Sequence, residues 1–192
     1  MTSPLDLVRR VAVILDSLEI AHHFTGSIAS SWHGQPRTTV DIDVVIDADL
    51  GKLDTLAEVL EPDFYVSREA VREAIKHRSS FNAISLDSPY KVDFFIVGNR
   101  PYDREAFRRS VDHFLGRADF PPVRLLSPED TILRKLEWFR LGGEASDHQW
   151  RDVLGILVAR RGSLDAVYLD SWAVELNLAD LLKRAREQAA DV

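Results

Sequence analysis

The sequence predicts an α+β protein, a strand-and-helix core followed by a helical C-terminal part. Two segments, Asp41–Asp47 (DIDVVID) and Lys91–Val97 (KVDFFIV), set acids among apolar residues with the period of two that marks a half-buried strand. Around them apolar residues recur at helical spacing. From Ser127 onward the pattern is helical nearly to the end. A chain of 192 residues suits one domain, or one with a helical extension. The core is expected in residues 1–120, with a strand and helical extension packed on it in 121–192.

Each element has its own signal. Ser3-Pro4 starts a helix that runs to about Leu18 on its dense apolar positions. His22–Thr25 reads as a short strand, Gly26-Ser27 as the turn after it, and Ile28–Trp32 as a second helix ended by His33-Gly34-Gln35-Pro36. Asp41–Asp47 is the clearest strand. Gly51–Leu60 is helical, Phe64–Val66 a brief strand, and Ser67 caps a helix from Arg68 to His77. Phe81–Leu86 and Lys91–Val97 form a hairpin across Asp87-Ser88-Pro89-Tyr90. Asp103–Leu115 is expected to be a helix. Phe120-Pro121-Pro122 makes a stiff joint before a strand at Val123–Leu126. Ser127-Pro128-Glu129-Asp130 starts a helix that stops at Gly142-Gly143. Helices at Asp147–Arg160, Leu164–Leu176 and Leu178–Ala189 complete the chain.

Composition narrows the function. Hydrophobic residues make up 45% and charged residues 29%, which is globular rather than disordered. There is no cysteine, which excludes disulfides, thiolate metal sites and cysteine nucleophiles. The net charge of −7 argues against a broad surface for coating nucleic acid, although a local basic cleft stays compatible with it. No apolar run is long enough to span a bilayer. Asp6, Asp16 and Glu19 break the N-terminal apolar pattern, so it reads as a first helix and not a signal peptide, and a cytoplasmic location is expected. His22 and His23 are adjacent on a strand and face opposite ways. With no HExxH motif, a zinc site is not expected. The four tryptophans are expected to pack in the core.

The chemistry concentrates in three places. Gly26-Ser27 sits at a strand end. Asp41 and Asp43, two apart on one strand, project from the same face. Asp93 is an acid among Val92, Phe94, Phe95, Ile96 and Val97, where an unpaired carboxylate would be costly. Paired carboxylates repel unless a proton or cation intervenes, and a hard cation such as Mg²⁺ takes oxygens of this kind. Gly26 lets backbone approach a phosphate closely, and Ser27 offers a hydroxyl and an amide at a helix start. The plain alternative for Asp41 and Asp43 is the solvated acidic face of an edge strand. For Lys135 it is a surface lysine whose stem covers the core edge.

Gly26-Ser27 followed by Arg37-Thr38-Thr39-Val40-Asp41-Ile42-Asp43, with the later Asp93, resembles the signature of the nucleotidyltransferase superfamily with the DNA polymerase β-type core. The stretch LLSPEDTILRKLEWF, with Lys135, and the later Arg151-Asp152 are similar to small bacterial members, the AbiEii-type toxins and minimal nucleotidyltransferases. The resemblance runs from about His22 to Asp152. It implies a nucleotidyltransferase-like mixed sheet flanked by helices. It also implies Mg²⁺-dependent transfer of a nucleoside monophosphate from a nucleoside triphosphate (NTP) to a hydroxyl, with pyrophosphate released. Under it Asp41, Asp43 and Asp93 are catalytic and hold two Mg²⁺ ions. Gly26 and Ser27 hold the triphosphate, Arg37 helps neutralise it, and Lys135 contacts phosphate or base. Arg134 and Arg140 are alternative phosphate contacts, and Asp152 is a weaker candidate for the site. The acceptor is open among tRNA or other RNA, protein and a small molecule. The rival readings are a catalytically inactive module that binds nucleotide or a partner, and a toxin component held by a cognate antitoxin protein.

Overall fold

The computed structural model describes residues 3–115 and 121–191. Among these the chain forms two compact units. The first takes in the chain up to Ser27 and residues 38–125, and the second residues 28–37 with everything from Leu126 onward.

In the first unit seven strands form one mixed sheet among the described residues, ordered β3-β4-β5-β2-β1-β7-β6. They are β1 (Ala21–Phe24), β2 (Asp41–Asp47), β3 (Phe64–Val66), β4 (Ser80–Ser85), β5 (Lys91–Ile96), β6 (Val111–His113) and β7 (Val123–Leu125). The pairs β2·β5 and β1·β7 are parallel and the others antiparallel. Alternation decides what faces inward. Ile42, Val44 and Ile46 of β2, with Val92 and Phe94 of β5, are fully buried. Phe81 stacks on its register partner Phe94 at 4.9 Å between ring centroids.

Helices α1 (Pro4–Ser17), α3 (Leu50–Leu60), α4 (Arg68–His77) and α5 (Pro101–Arg108) flank this sheet. Each of the first three carries a side-chain cap; the one at Ser67 is the cap the sequence predicts. Ser3 and Asp6 form a capping box, Asp49 accepts from the Lys52 amide, and Ser67 accepts from the Ala70 amide. The hairpin appears as β4 and β5, with Ile84 opposite Lys91.

The second unit holds α6 (Pro128–Leu141), α7 (Asp147–Ala159), α8 (Ala166–Glu175) and α9 (Ala179–Ala190). Helix α2 (Gly26–His33) begins two residues before the expected Ile28, and its residues from Ile28 belong to this unit. A Cβ on Gly34 would lie 2.8 Å from the backbone nitrogen of Ile156. Glycine is what lets residues 28–37 seat against α7. Among the described residues, no helix is long and apolar enough to cross a membrane.

Two expectations are corrected. The helix foreseen over Asp103–Leu115 ends at Arg108, and the remainder turns into edge strand β6, antiparallel to β7. Phe107, Val111, Phe114 and Leu115 imitate helical spacing, but the Ser110 hydroxyl donates to the Phe107 carbonyl and the chain leaves the helix there. Nor are all four tryptophans core residues. Trp138 is 56% exposed because α6 buries the stripe Ile132, Leu133, Leu136 and Phe139, and Trp32 in the last turn of α2 is 40% exposed. Phe120 of the stiff joint, where the core was expected to end, lies outside the described residues.

Candidate active site

The parallel pairing of β2 with β5 builds the site. Its register sets Asp43 beside Asp93 and Asp41 beside Lys91. Inward-facing residues of both strands are buried, so these four project from the opposite face. Adjacent strands lie about 4.8 Å apart, so the register gathers the carboxylates into one patch.

Strand β1, on the other side of β2, brings in Gly26. The Thr25 amide donates to the Asp43 carbonyl at 2.9 Å, holding the end of β1 against β2. The next residue, Gly26, has φ of +55°, and a Cβ there would fall 1.8 Å from Asp43 Oδ2. The position demands glycine on two independent grounds: the left-handed backbone and the carboxylate that fills the space of a side chain. Ser27 follows, nearly buried, in the first turn of α2.

The patch carries an internal cation. Lys91 Nζ lies 2.6 Å from Asp93 Oδ2 and 3.5 Å from Asp41 Oδ1. The hydrogen bond to Asp93, and after burial is set against it the two carboxylate charges, raise the ammonium's pKa above its ordinary value. Among the described residues, no group of three or more histidine, aspartate or glutamate side chains is gathered in a metal-holding arrangement. The donor set still suits a hard divalent cation, since it is all carboxylate oxygen and already binds a positive charge. Sequence reasoning missed Lys91. Its signal was available, because residue i−2 on a strand shares the face of residue i.

The other two sequence candidates, Arg37 and Lys135, lie in the second unit and meet at Asp152. Lys135 Nζ is 2.8 Å from Asp152 Oδ2, with both side chains only 7% exposed. Arg37 Nε donates to Asp152 Oδ1 at 3.2 Å and the Ser30 hydroxyl to Oδ2 at 3.0 Å. Burial pushes the Asp152 carboxyl up, but the hydrogen bonds and charges of Lys135 and Arg37 outweigh it and hold it below the usual carboxylate value. Lys135 is thus a buried lysine in an ion pair, not a surface lysine over the core edge. Ser30 had no distinguishing mark in the sequence. Arg134 and Arg140, the alternative phosphate contacts, pair with Glu137 and Asp180. His22 and His23 are both buried on β1.

Comparison with known proteins gives a consistent picture. The profile of the family described as "Nucleotidyl transferase AbiEii toxin, Type IV TA system" matches residues 15–154. No curated protein matches the chain significantly in sequence. Among solved structures, the chain is similar to an antigenic nucleotidyltransferase-like protein from Paracoccidioides brasiliensis, with TM-score 0.60 and 19% identity over 94% of this chain and 90% of that one. It is similar to the antibiotic-resistance factor ANT(2'')-Ia, with TM-score 0.56 and 17% identity over 96% and 93% of the two chains. It is also similar to the lincosamide antibiotic adenylyltransferase LnuA in lincomycin-bound form, with TM-score 0.51 and 10% identity over 81% and 98%. At these identities the likeness establishes a shared nucleotidyltransferase-like fold.

Proposed function

The chain belongs to the AbiEii nucleotidyl transferase family, and from that membership we propose that it transfers a nucleoside monophosphate from an NTP to a hydroxyl acceptor. The observation that carries this reading is the β2·β5 register, which sets Asp43 beside Asp93 on the face that also presents Asp41, with Gly26 closed against Asp43. A solvated acidic strand needs no such glycine.

In the proposed reaction the acceptor oxygen attacks the α-phosphorus. A new P–O bond forms, the bond to the bridging oxygen breaks, pyrophosphate leaves, and the hydroxyl proton passes by way of Asp93 to solvent. Asp41, Asp43 and Asp93 would hold Mg²⁺, two ions in the fullest form, which when bound would offset charge on the attacking and leaving oxygens. Asp43 sits between Asp93 and Gly26 and would be the carboxylate shared by both parts of the site. Asp93 would help activate the acceptor hydroxyl. Gly26 and Ser27 would hold the triphosphate, Ser27 through its hydroxyl and an amide at the start of α2. Arg37 and Lys135, fixed by Asp152, are proposed to contribute positive charge toward phosphate.

The acceptor class is proposed as RNA, protein or a small molecule. ANT(2'')-Ia and LnuA, described as an antibiotic-resistance factor and an antibiotic adenylyltransferase, keep the small-molecule class among those to assay. The family description favours a second biological setting for the same chemistry, a toxin restrained by an antitoxin. Calorimetry with a non-hydrolysable ATP analogue tests the site. Binding should require Mg²⁺ and vanish in Asp41→Ala and Asp43→Ala. Binding indifferent to both substitutions would contradict the catalytic assignment and favour a nucleotide-binding module without turnover.

A further inference from the structure

We propose that Lys91 is a built-in counterion that occupies the Asp41–Asp93 site when no metal is bound, and that a divalent cation binds by displacing it. This rests on the proposed carboxylate site but concerns a residue that reading does not use. Lys91 is on the same strand face as Asp93 and opposite Asp41 across the parallel pair, and its ammonium touches both. Three aspartates on neighbouring register positions repel one another, and one ammonium between Asp41 and Asp93 offsets part of that cost.

The contact is also reversible. The Lys91 side chain is 40% exposed, against 7% for Lys135. A flexible four-carbon stem can carry the ammonium into solvent without moving β5. Lys135 has no such exit. A strand that only needed a solvated lysine could carry it on any exposed position. Here the lysine lies where a cation for Asp41 and Asp93 would go.

Metal binding in the absence of nucleotide is therefore weakened by an internal competitor. Titration of the 192-residue protein with Mn²⁺, followed by the loss of the free-ion electron paramagnetic resonance signal, measures this directly. Lys91→Met should bind Mn²⁺ about two- to fivefold more tightly than wild type, the range of a partly exposed ion pair. Lys91→Arg, which keeps the charge, should stay near wild type. Melting gives a second readout: Lys91→Met should melt lower than wild type in chelator and gain more from added Mg²⁺. Equal Mn²⁺ affinity in wild type and Lys91→Met, or weaker binding in the variant, overturns the proposal. If the Asp43→Asn control then abolishes binding, the carboxylate site itself stands. If neither wild type nor Lys91→Met binds Mn²⁺, the carboxylate site falls and the counterion role with it.

Discussion

Gly26 and Asp43 are best understood as one object. The carboxylate occupies the volume of the missing side chain, and the left-handed φ excludes other residues at low cost. Gly26→Ala should cost about 1–3 kcal/mol in stability from backbone strain alone. It should reduce transfer further by pushing Asp43 out of line with Asp93. Gly51→Ala is the matched control: it lies in α3, its Cβ would meet only Asp49 Oδ1 at 3.4 Å, and the change should leave activity unchanged and melting unlowered. On the proposed assignment Asp43→Asn should abolish transfer, read as loss of labelled product, by removing a carboxylate that would hold the metal. In the second unit, Asp152 has its carboxyl held below the ordinary value of 3.8. Its stabilisation is therefore complete above that value and is lost as pH falls through the lower folded one. Asp152→Ala should cost about 3 kcal/mol at neutral pH, by uncovering buried Lys135. Denaturant melts should show that deficit shrinking below about pH 4, where wild type loses the same interaction.

At the scale of elements, what the sequence reveals depends on whether a pattern is local. The alternation in DIDVVID and KVDFFIV identifies both strands and the face each acid takes. The caps at Ser3, Ser67 and Ser127 locate three helix starts for the same reason, each being a contact within one turn. What stayed hidden is pairing. Nothing local says that β2 runs parallel to β5, and that register is what sets Asp43 beside Asp93 and Lys91 beside Asp41. The edge strand β6 was hidden differently. Four apolar residues at helical spacing read as helix, and only pairing with β7 makes Val111–His113 a strand. Trp138 was misjudged because its type suggested the core, whereas its place on α6 lies off the buried stripe.

At the scale of the molecule, each compact unit is discontinuous in sequence. Residues 28–37 interrupt the first and belong to the second, where Gly34 packs against the α7 backbone and His33 Nε2 contacts the Leu126 carbonyl at 2.8 Å. A fragment ending at residue 125 would keep every strand of the sheet but lose these partners. Limited proteolysis should therefore cut such a fragment within residues 28–37 much faster than the full chain. Equal protection in both would contradict the assignment of that segment to the second unit.

Nucleotidyl transfer at Asp41, Asp43 and Asp93 is tested by a label-transfer assay. The protein is incubated with each α-³²P NTP and Mg²⁺ in the presence of tRNA, cell protein or a small-molecule pool, with the Asp41→Ala, Asp43→Ala double variant alongside. Label should appear in one acceptor fraction, with pyrophosphate released, and none should appear with the variant. Label that persists undiminished in the variant, or none in any fraction despite Mg²⁺-dependent nucleotide binding, would contradict transfer at these aspartates.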